Sequence, residues 1–293
     1  MRANELVLAR LPSLSPKLQA AARFIVDHPN EVVIASMRQV AERAGAQPAT
    51  LVRLAQQLGF PGWPELKSAF AKDMGLHAEG YAERTKSLLD ARNDGERLGA
   101  LFDIHRRNLE LTQVQCAGSA LQEAVELLGR ARAVHVAGFR GSFPVAYALV
   151  HGYRMFRNSV HLIDGQGGGL GMQLRPIERE DAVVSISMAP YARETLAVVE
   201  AAREVGAYVV SMTDSATAPL AMMADVSMLF VARAPAFLPT AVSALALAEI
   251  LLELLVVDAG KAVAQKIERA EQRLFDTGAN LQPPARRVAP VRS

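Results

Sequence analysis

SMRQVAERAGAQPATLVRLAQQLGFPG, residues 36–62, reads as two short helices joined by a tight turn. Ser36 followed by Gln39 is a capping-box pattern, in which each side chain satisfies an orphan amide of the first turn. Val40, Ala41 and Ala44 give one apolar face, and Gly45 stands where a helix end needs a positive φ. Gln47-Pro48 restarts the chain, with the proline suited to the first position of a new helix. Leu51, Leu54, Ala55 and Leu58 make a second apolar stripe, closed by Gly59. Gln47, Ala49, Thr50, Arg53, Gln56 and Gln57 are left pointing outward. A short polar helix across a glycine turn from a capped partner is what a helix-turn-helix presents to the major groove. An ordinary αα-hairpin with a solvated face has the same pattern, so geometry alone leaves both readings open.

The flanks extend the helical unit. Ser15-Pro16 marks a helix start, and Leu18, Ala22, Ile25 and Val26 carry an apolar stripe to about Asp27. Pro29-Asn30 breaks it, and a short turn leads into Ser36. Downstream, residues 60–64 form a turn that opens another helix. Trp63 is expected to staple that turn to the helical core, and Lys67 is either a phosphate contact or a solvated charge.

At 293 residues the chain has room for two domains, and 51% apolar residues supply their cores. The net charge of +2 is unevenly spread: +3 over residues 1–74, −3 over 75–129, −2 over 130–258 and +4 over 259–293. A mildly basic head on an acidic body suits a DNA-binding module attached to something else. The single cysteine, Cys116, excludes an intrachain disulfide framework and fits a reducing compartment. Residues 1–10 hold no sustained apolar run of a signal peptide. The longest apolar-rich run, 241–257, is interrupted by Glu249 and Glu253, as in a buried helix and not a membrane span. A cytoplasmic protein without membrane contact is expected.

Residues 75–95 have little apolar period and read as a linker with a partial helix near 82–89. Helical spacing returns at Leu101, Ile104, Asn108 and Leu111, then at Leu121, Val125 and Leu128. From residue 131 the pattern changes to short apolar runs at 133–137, 160–164, 182–187, 208–213 and 226–231, separated by segments of helical length. Continuous apolar strands alternating with helices indicate a parallel sheet covered on both faces. Five such strands make a doubly wound sheet, most simply ordered 2-1-3-4-5, with its ligand beyond the carboxyl ends of strands one and three. After Gly260 a polar helix runs to about Phe275, followed by a basic tail read as disordered.

The loop after strand one holds Gly138, Arg140, Gly141 and Ser142, and feeds a helix through Pro144. Gly138 permits a sharp turn, Ser142 can cap the helix, and first-turn amides favour an anion. Arg140 can hold a phosphate or carboxylate. A dinucleotide fingerprint needs glycine where Arg140 stands, so no nucleotide cofactor is expected. The loop after strand three brings Ser187, Tyr191, Arg193 and Thr195 toward the same crevice, and Asp214 ends strand four as a turn residue. The glycine-rich run 165–169 carries no assignable chemistry. His135 reads as a core histidine, and no histidine has metal-ligand spacing. Glu249 and Glu253 are the only candidates for a general base, and residues so placed more often face an interface.

These residues together resemble the RpiR family of bacterial transcriptional regulators, an N-terminal helix-turn-helix followed by a SIS (sugar isomerase) domain. The resemblance runs through Ser36–Gly45, Pro48–Arg53, Leu58-Gly-Phe60 and Trp63-Pro-Glu-Leu-Lys67. It continues through Val136-Ala-Gly138, Ser142, residues 181–187, Glu194-Thr195 and Ser211-Met-Thr-Asp214. It implies an all-α helix-turn-helix domain (1–76), a helical linker (77–120), an α/β SIS domain (121–260) and a C-terminal helix with its tail (261–293). It also implies a regulator and not an enzyme. Gln47, Pro48, Thr50, Arg53 and Gln56 would then face bases, with Arg38, Arg43 and Lys67 on phosphates. A dimer or tetramer through the SIS domains would meet a palindromic double-stranded operator. The SIS domain would sense a small anionic metabolite, a sugar phosphate or sugar acid. The family's usual Ser-Gly-x-Thr after strand three is Ala189-Pro190-Tyr191-Ala192 here, which removes phosphate donors. A sugar-phosphate isomerase and a sequence-independent DNA scaffold are the alternatives.

Overall fold

The computed structural model describes residues 3–73, 85, 86, 89, 94–116, 118–233 and 238–281. The linker reading of 75–95 and the basic tail fall largely outside them. Six helices form the N-terminal unit: α1 (Ala3–Arg10), α2 (Pro16–Asp27), α3 (Pro29–Ile34), α4 (Met37–Arg43), α5 (Pro48–Gln57) and α6 (Trp63–Asp73). The stretch predicted as a turn before Ser36 is the short helix α3. Pro29 opens it at a position that needs no amide, and Val32 is fully buried beneath it.

The capping box forms as the sequence implies: the Gln39 amide donates to Ser36 Oγ at 3.3 Å, and the Ser36 amide to Gln39 Oε1 at 2.9 Å. Gly45 turns the chain at φ +61°. Val40, Ala41, Leu51, Leu54, Ala55 and Leu66 are buried together with Ile25 and Phe70. Each large side chain so buried is worth about 1.5–3 kcal/mol, so the core fixes the angle between α4 and α5. Trp63 lies in this core, as expected of a staple.

After α7 (Asp94–Gln115) and α8 (Ala120–Arg130) the chain alternates. The strands are β1 (Val134–Gly138), β2 (Val160–Ile163), β3 (Ala182–Ser187), β4 (Tyr208–Thr213) and β5 (Val226–Leu229). All pair in parallel, in the order β2-β1-β3-β4-β5. The connecting helices are α9 (Phe143–Arg154), α10 (Leu170–Leu174), α11 (Arg193–Val205) and α12 (Pro219–Met223). The chain continues into α13 (Val242–Ala259) and α14 (Lys261–Asp276). Strand alternation sends Val136, Val184, Ile186, Val210 and Met212 to the core under α8, α9 and α13. Ala137, Val183 and Val209 go to the core under α11. The sheet is therefore buried on both sides, which is why its strands read as unbroken apolar runs.

The end of β5 and the chain just beyond it are held by side chains spaced four residues apart on α7 and at the residue after it. The Asn108 amide donates to the Arg233 carbonyl, Thr112 Oγ1 accepts from the Val231 amide at 2.9 Å, and Cys116 Sγ donates to the Leu229 carbonyl at 3.2 Å. Burial raises the Cys116 pKa, which keeps the thiol a neutral donor. The opposite, amino-terminal end of the sheet is tied by Asp181, which is fully buried. It accepts from the Glu178 amide at 2.9 Å, from Arg132 at 2.9 and 3.0 Å, and from His135 Nε2 at 3.1 Å. His135 is thus a satisfied core histidine, stacked on His161.

Burial by itself would raise the Asp181 pKa, but these donors outweigh it and hold the carboxyl below its ordinary range. Its contribution to stability is therefore complete above the unfolded-state pKa and is lost as pH falls through the folded one. Asp181→Asn should cost about 2–3 kcal/mol near neutrality and flatten the acid limb of stability against pH, read by denaturant melts from pH 3 to 7.

Candidate effector cavity and nucleic-acid interface

The helix after β1 covers one face of the sheet and the helix after β3 covers the other, so the two loops part at the carboxyl edge. Between them lies a cavity of about 320 Å³. Arg140, Gly141, Ser142 and Ser187 line it, with Phe139, Met188, Ala189, Pro190 and Ala192. Leu238 and Pro239, from the segment between β5 and α13, complete the wall. Neither was singled out in the sequence, because nothing local relates them to loops about fifty and a hundred residues earlier.

The first loop turns so tightly that only glycine fits at 138: a Cβ there would stand 2.7 Å from the Ser142 carbonyl oxygen and 2.9 Å from Ala146 Cβ. Arg140 adopts φ +54°, a left-handed conformation that costs an arginine about 1–2 kcal/mol and recurs at ligand sites. The sequence offers Arg140 as a free cation. In the structure it is paired, its Nη2 donating to Glu194 Oε1 at 2.9 Å and Oε2 at 3.1 Å. Ser142 is buried but makes no capping bond to α9, contrary to the capping role expected of it. Its amide donates instead to the Phe139 carbonyl, closing a 3₁₀ turn.

Tyr191, Arg193 and Thr195 lie off the cavity wall, which corrects the expectation that they line it. The Tyr191 hydroxyl donates to Asp214 Oδ1 at 2.8 Å, and burial, then the Asp214 charge, pushes its pKa far up. Arg193 is exposed at the start of α11, and Thr195 is fully buried beneath it with no hydrogen-bond partner for its hydroxyl. Asp214 also accepts from the Ala189 amide at 3.2 Å, a role beyond the simple turn residue the sequence suggested. Glu249 and Glu253 fall on the exposed face of α13, so the proposed general base is not at the cleft. No group of three or more His, Cys, Asp or Glu among the described residues could hold a metal ion. The glycine-rich run is a 3₁₀ turn held by Gln173 Oε1, which accepts from the amides of Asp164 and Gly165.

On the N-terminal unit, Gln47, Arg53 and Gln56 are exposed along α5, with Pro48 and Thr50 half-exposed at its start. Gln47 is the N-cap residue but makes no side-chain cap bond, so its amide is free to contact a partner. A groove of about 490 Å³ runs along this face between Thr50, Arg53, Gln56 and Gln57 and the start of α2, at Ser15, Lys17 and Leu18. Lys17 thus joins the basic surface, a placement that only the packing of α2 on α5 reveals. Arg38 is exposed on α4, and Arg43 is tied to Glu31 at 2.9 Å on the surface. Lys67 is turned inward. Its Nζ donates to the Ala35 carbonyl at 2.8 Å and burial lowers its pKa, so it braces α3 against α6 with one of its three donors.

A helix-turn-helix with a polar outward helix, joined to a doubly wound α/β domain with a small-molecule cavity, defines the class of one-component regulators. The chain matches the model of the helix-turn-helix domain of the rpiR family over residues 3–76 and that of the SIS domain over residues 127–257. It belongs to the RpiR family of transcriptional regulators, as the sequence resemblance implies. It is 27% identical over 219 residues to the HTH-type transcriptional regulator HexR of Pseudomonas aeruginosa, covering 74% of each chain. The sugar isomerase domain of an RpiR transcription factor from Sphaerobacter thermophilus superposes with a TM-score of 0.57 at 25% identity, over 62% of this chain and 99% of that one. NanR of Vibrio vulnificus, solved with ManNAc-6P, superposes with a TM-score of 0.55 at 20% identity, over 94% of this chain and all of that one. No helix among the described residues is long and apolar enough to cross a membrane.

Gly138→Ala should cost about 1–3 kcal/mol through the clash with the Ser142 carbonyl, measurable as a lowered Tm. An unchanged Tm would mean that the loop can relax away from β1.

Proposed function

We propose that this regulator reads a palindromic double-stranded operator through paired copies of α5 and that a small anionic metabolite in the β1–β3 cavity controls the binding. The observation that carries the reading is the outward face of α5. Gln47, Thr50, Arg53 and Gln56 stand clear of the core on a helix whose other face is locked by Leu51 and Leu54. Arginine and glutamine make the bidentate contacts that distinguish guanine and adenine in the major groove. Arg38, Arg43 and Lys17 supply charge for the flanking phosphates, which position the helix without reading sequence. Arg43 would exchange its exposed partner Glu31 for a phosphate at little cost, since surface ion pairs are worth under about 1 kcal/mol.

A dimer or tetramer assembled through the SIS domains would place two such helices on half-sites about 10 base pairs apart. The cavity reading rests on Arg140, a fixed guanidinium at the mouth of a ligand-sized hollow, with the Ser142 and Ser187 hydroxyls on its wall. That NanR is solved with a phosphorylated sugar is in keeping with a small anionic ligand for this domain.

Selection of bound fragments from a random DNA pool, with the full chain at physiological salt, should enrich one inverted repeat. Binding that varies with salt but not with sequence would overturn the operator reading in favour of a scaffold. Arg53→Ala should relax discrimination at one position of each half-site by about 1–3 kcal/mol, measured by competition between operator variants, while the Tm stays within about 0.5 kcal/mol equivalent because the side chain is exposed.

A further inference from the structure

The geometry points to a monocarboxylate with an apolar body, and not a phosphorylated polyol, as the ligand of the β1–β3 cavity; this deepens the effector reading above and rests on it. Several of the backbone and side-chain donors of the two loops are already taken. Asp214 accepts from the Ala189 amide and the Tyr191 hydroxyl, so the loop after β3 has an internal anion on its donors. The Ala192 amide points to Ser187 Oγ at 3.4 Å, and the Ser142 amide is held by the Phe139 carbonyl at 3.0 Å.

What remains on the wall is largely apolar: Phe139, Met188, Pro190, Leu238 and Pro239, with two serine hydroxyls. A polyol would bury several hydroxyls against this surface, and each left unpaired weakens binding about five- to a hundredfold. An alkyl or aryl body loses nothing there. At about 320 Å³ the cavity is at the small end of ligand sites.

Charge leads to the same ligand. Arg140 is the one cation on the described cavity wall, and it holds one carboxylate, that of Glu194. A ligand carboxylate replaces Glu194 like for like, one anion for one anion on the same guanidinium. The Arg140 and Glu194 side chains are 64% and 38% exposed, so the pair opens at little cost. A phosphate monoester brings a charge of about −1.5 to −2 beside Glu194 and Asp214 with a single cation to meet it.

The test uses the full chain, with hexanoate and benzoate against glucose 6-phosphate and inorganic phosphate, read by calorimetric titration and by Tm. The carboxylates should bind saturably, at least about tenfold tighter than either phosphate. R140G, whose glycine suits the φ of +54°, should weaken the carboxylates by more than about tenfold. E194Q, which removes the competing anion, should tighten them several-fold. Glucose 6-phosphate binding tighter than both carboxylates, and lost in R140G, would overturn the carboxylate inference and leave the effector cavity standing. Binding of neither class, or binding indifferent to R140G, would overturn both.

Discussion

Two loops leave the carboxyl edge of one sheet in opposite directions, because α9 must cover one face and α11 the other. A parallel sheet buried on both sides admits no other arrangement at the point where the strand order reverses. The cavity follows from this separation, and so does its chemistry. The β1 loop must turn back immediately over its own strand, which leaves Gly138 in contact with the Ser142 carbonyl and forces Arg140 into a left-handed backbone. The guanidinium at the cavity mouth is thus held by the backbone as well as by its partner Glu194.

The electrostatics of the cavity are set by side chains that neutralise one another. Glu194 sits on Arg140, and Asp214 sits on the donors of the loop after β3. The first pair is exposed and exchangeable. The second is half-buried, and its tyrosine is held firmly protonated, so it is part of the fold. That difference in burial separates the anion site that a ligand can compete for from the one it cannot. The two glutamates of α13 face outward and are not among the residues that line the cavity.

The two units carry their functional residues in opposite ways. On α5 the core takes Leu51, Leu54 and Ala55, and the candidate base readers stand out by their exposure on the opposite face. In the SIS domain the decisive groups are partly buried, and their meaning comes from what they touch. Lys67 shows the difference within the N-terminal unit itself. By composition it stands beside Arg38 as a candidate phosphate ligand, but its ammonium is half-buried and already donates to the Ala35 carbonyl. The end of β5 makes the same point: Asn108, Thr112 and Cys116 look unremarkable on and just after a polar helix until they are seen to hold the backbone there.

Local periodicity and capping were enough to determine the two helices and the turn between them, since the box at Ser36, the glycine at 45 and the stripe on α5 act within a few residues of one another. The five strands and their order were legible for a similar reason: apolar runs alternating with helices leave a parallel sheet few topologies. The cavity's loops could also be located, as they follow from strand order. What filled those loops was not legible. The pairing of Arg140 with Glu194, the capture of Tyr191 by Asp214, and the wall formed by Leu238 and Pro239 each join residues far apart in the chain. No local spacing encodes such contacts, and only the folded backbone decides which charges are free and which are already spent.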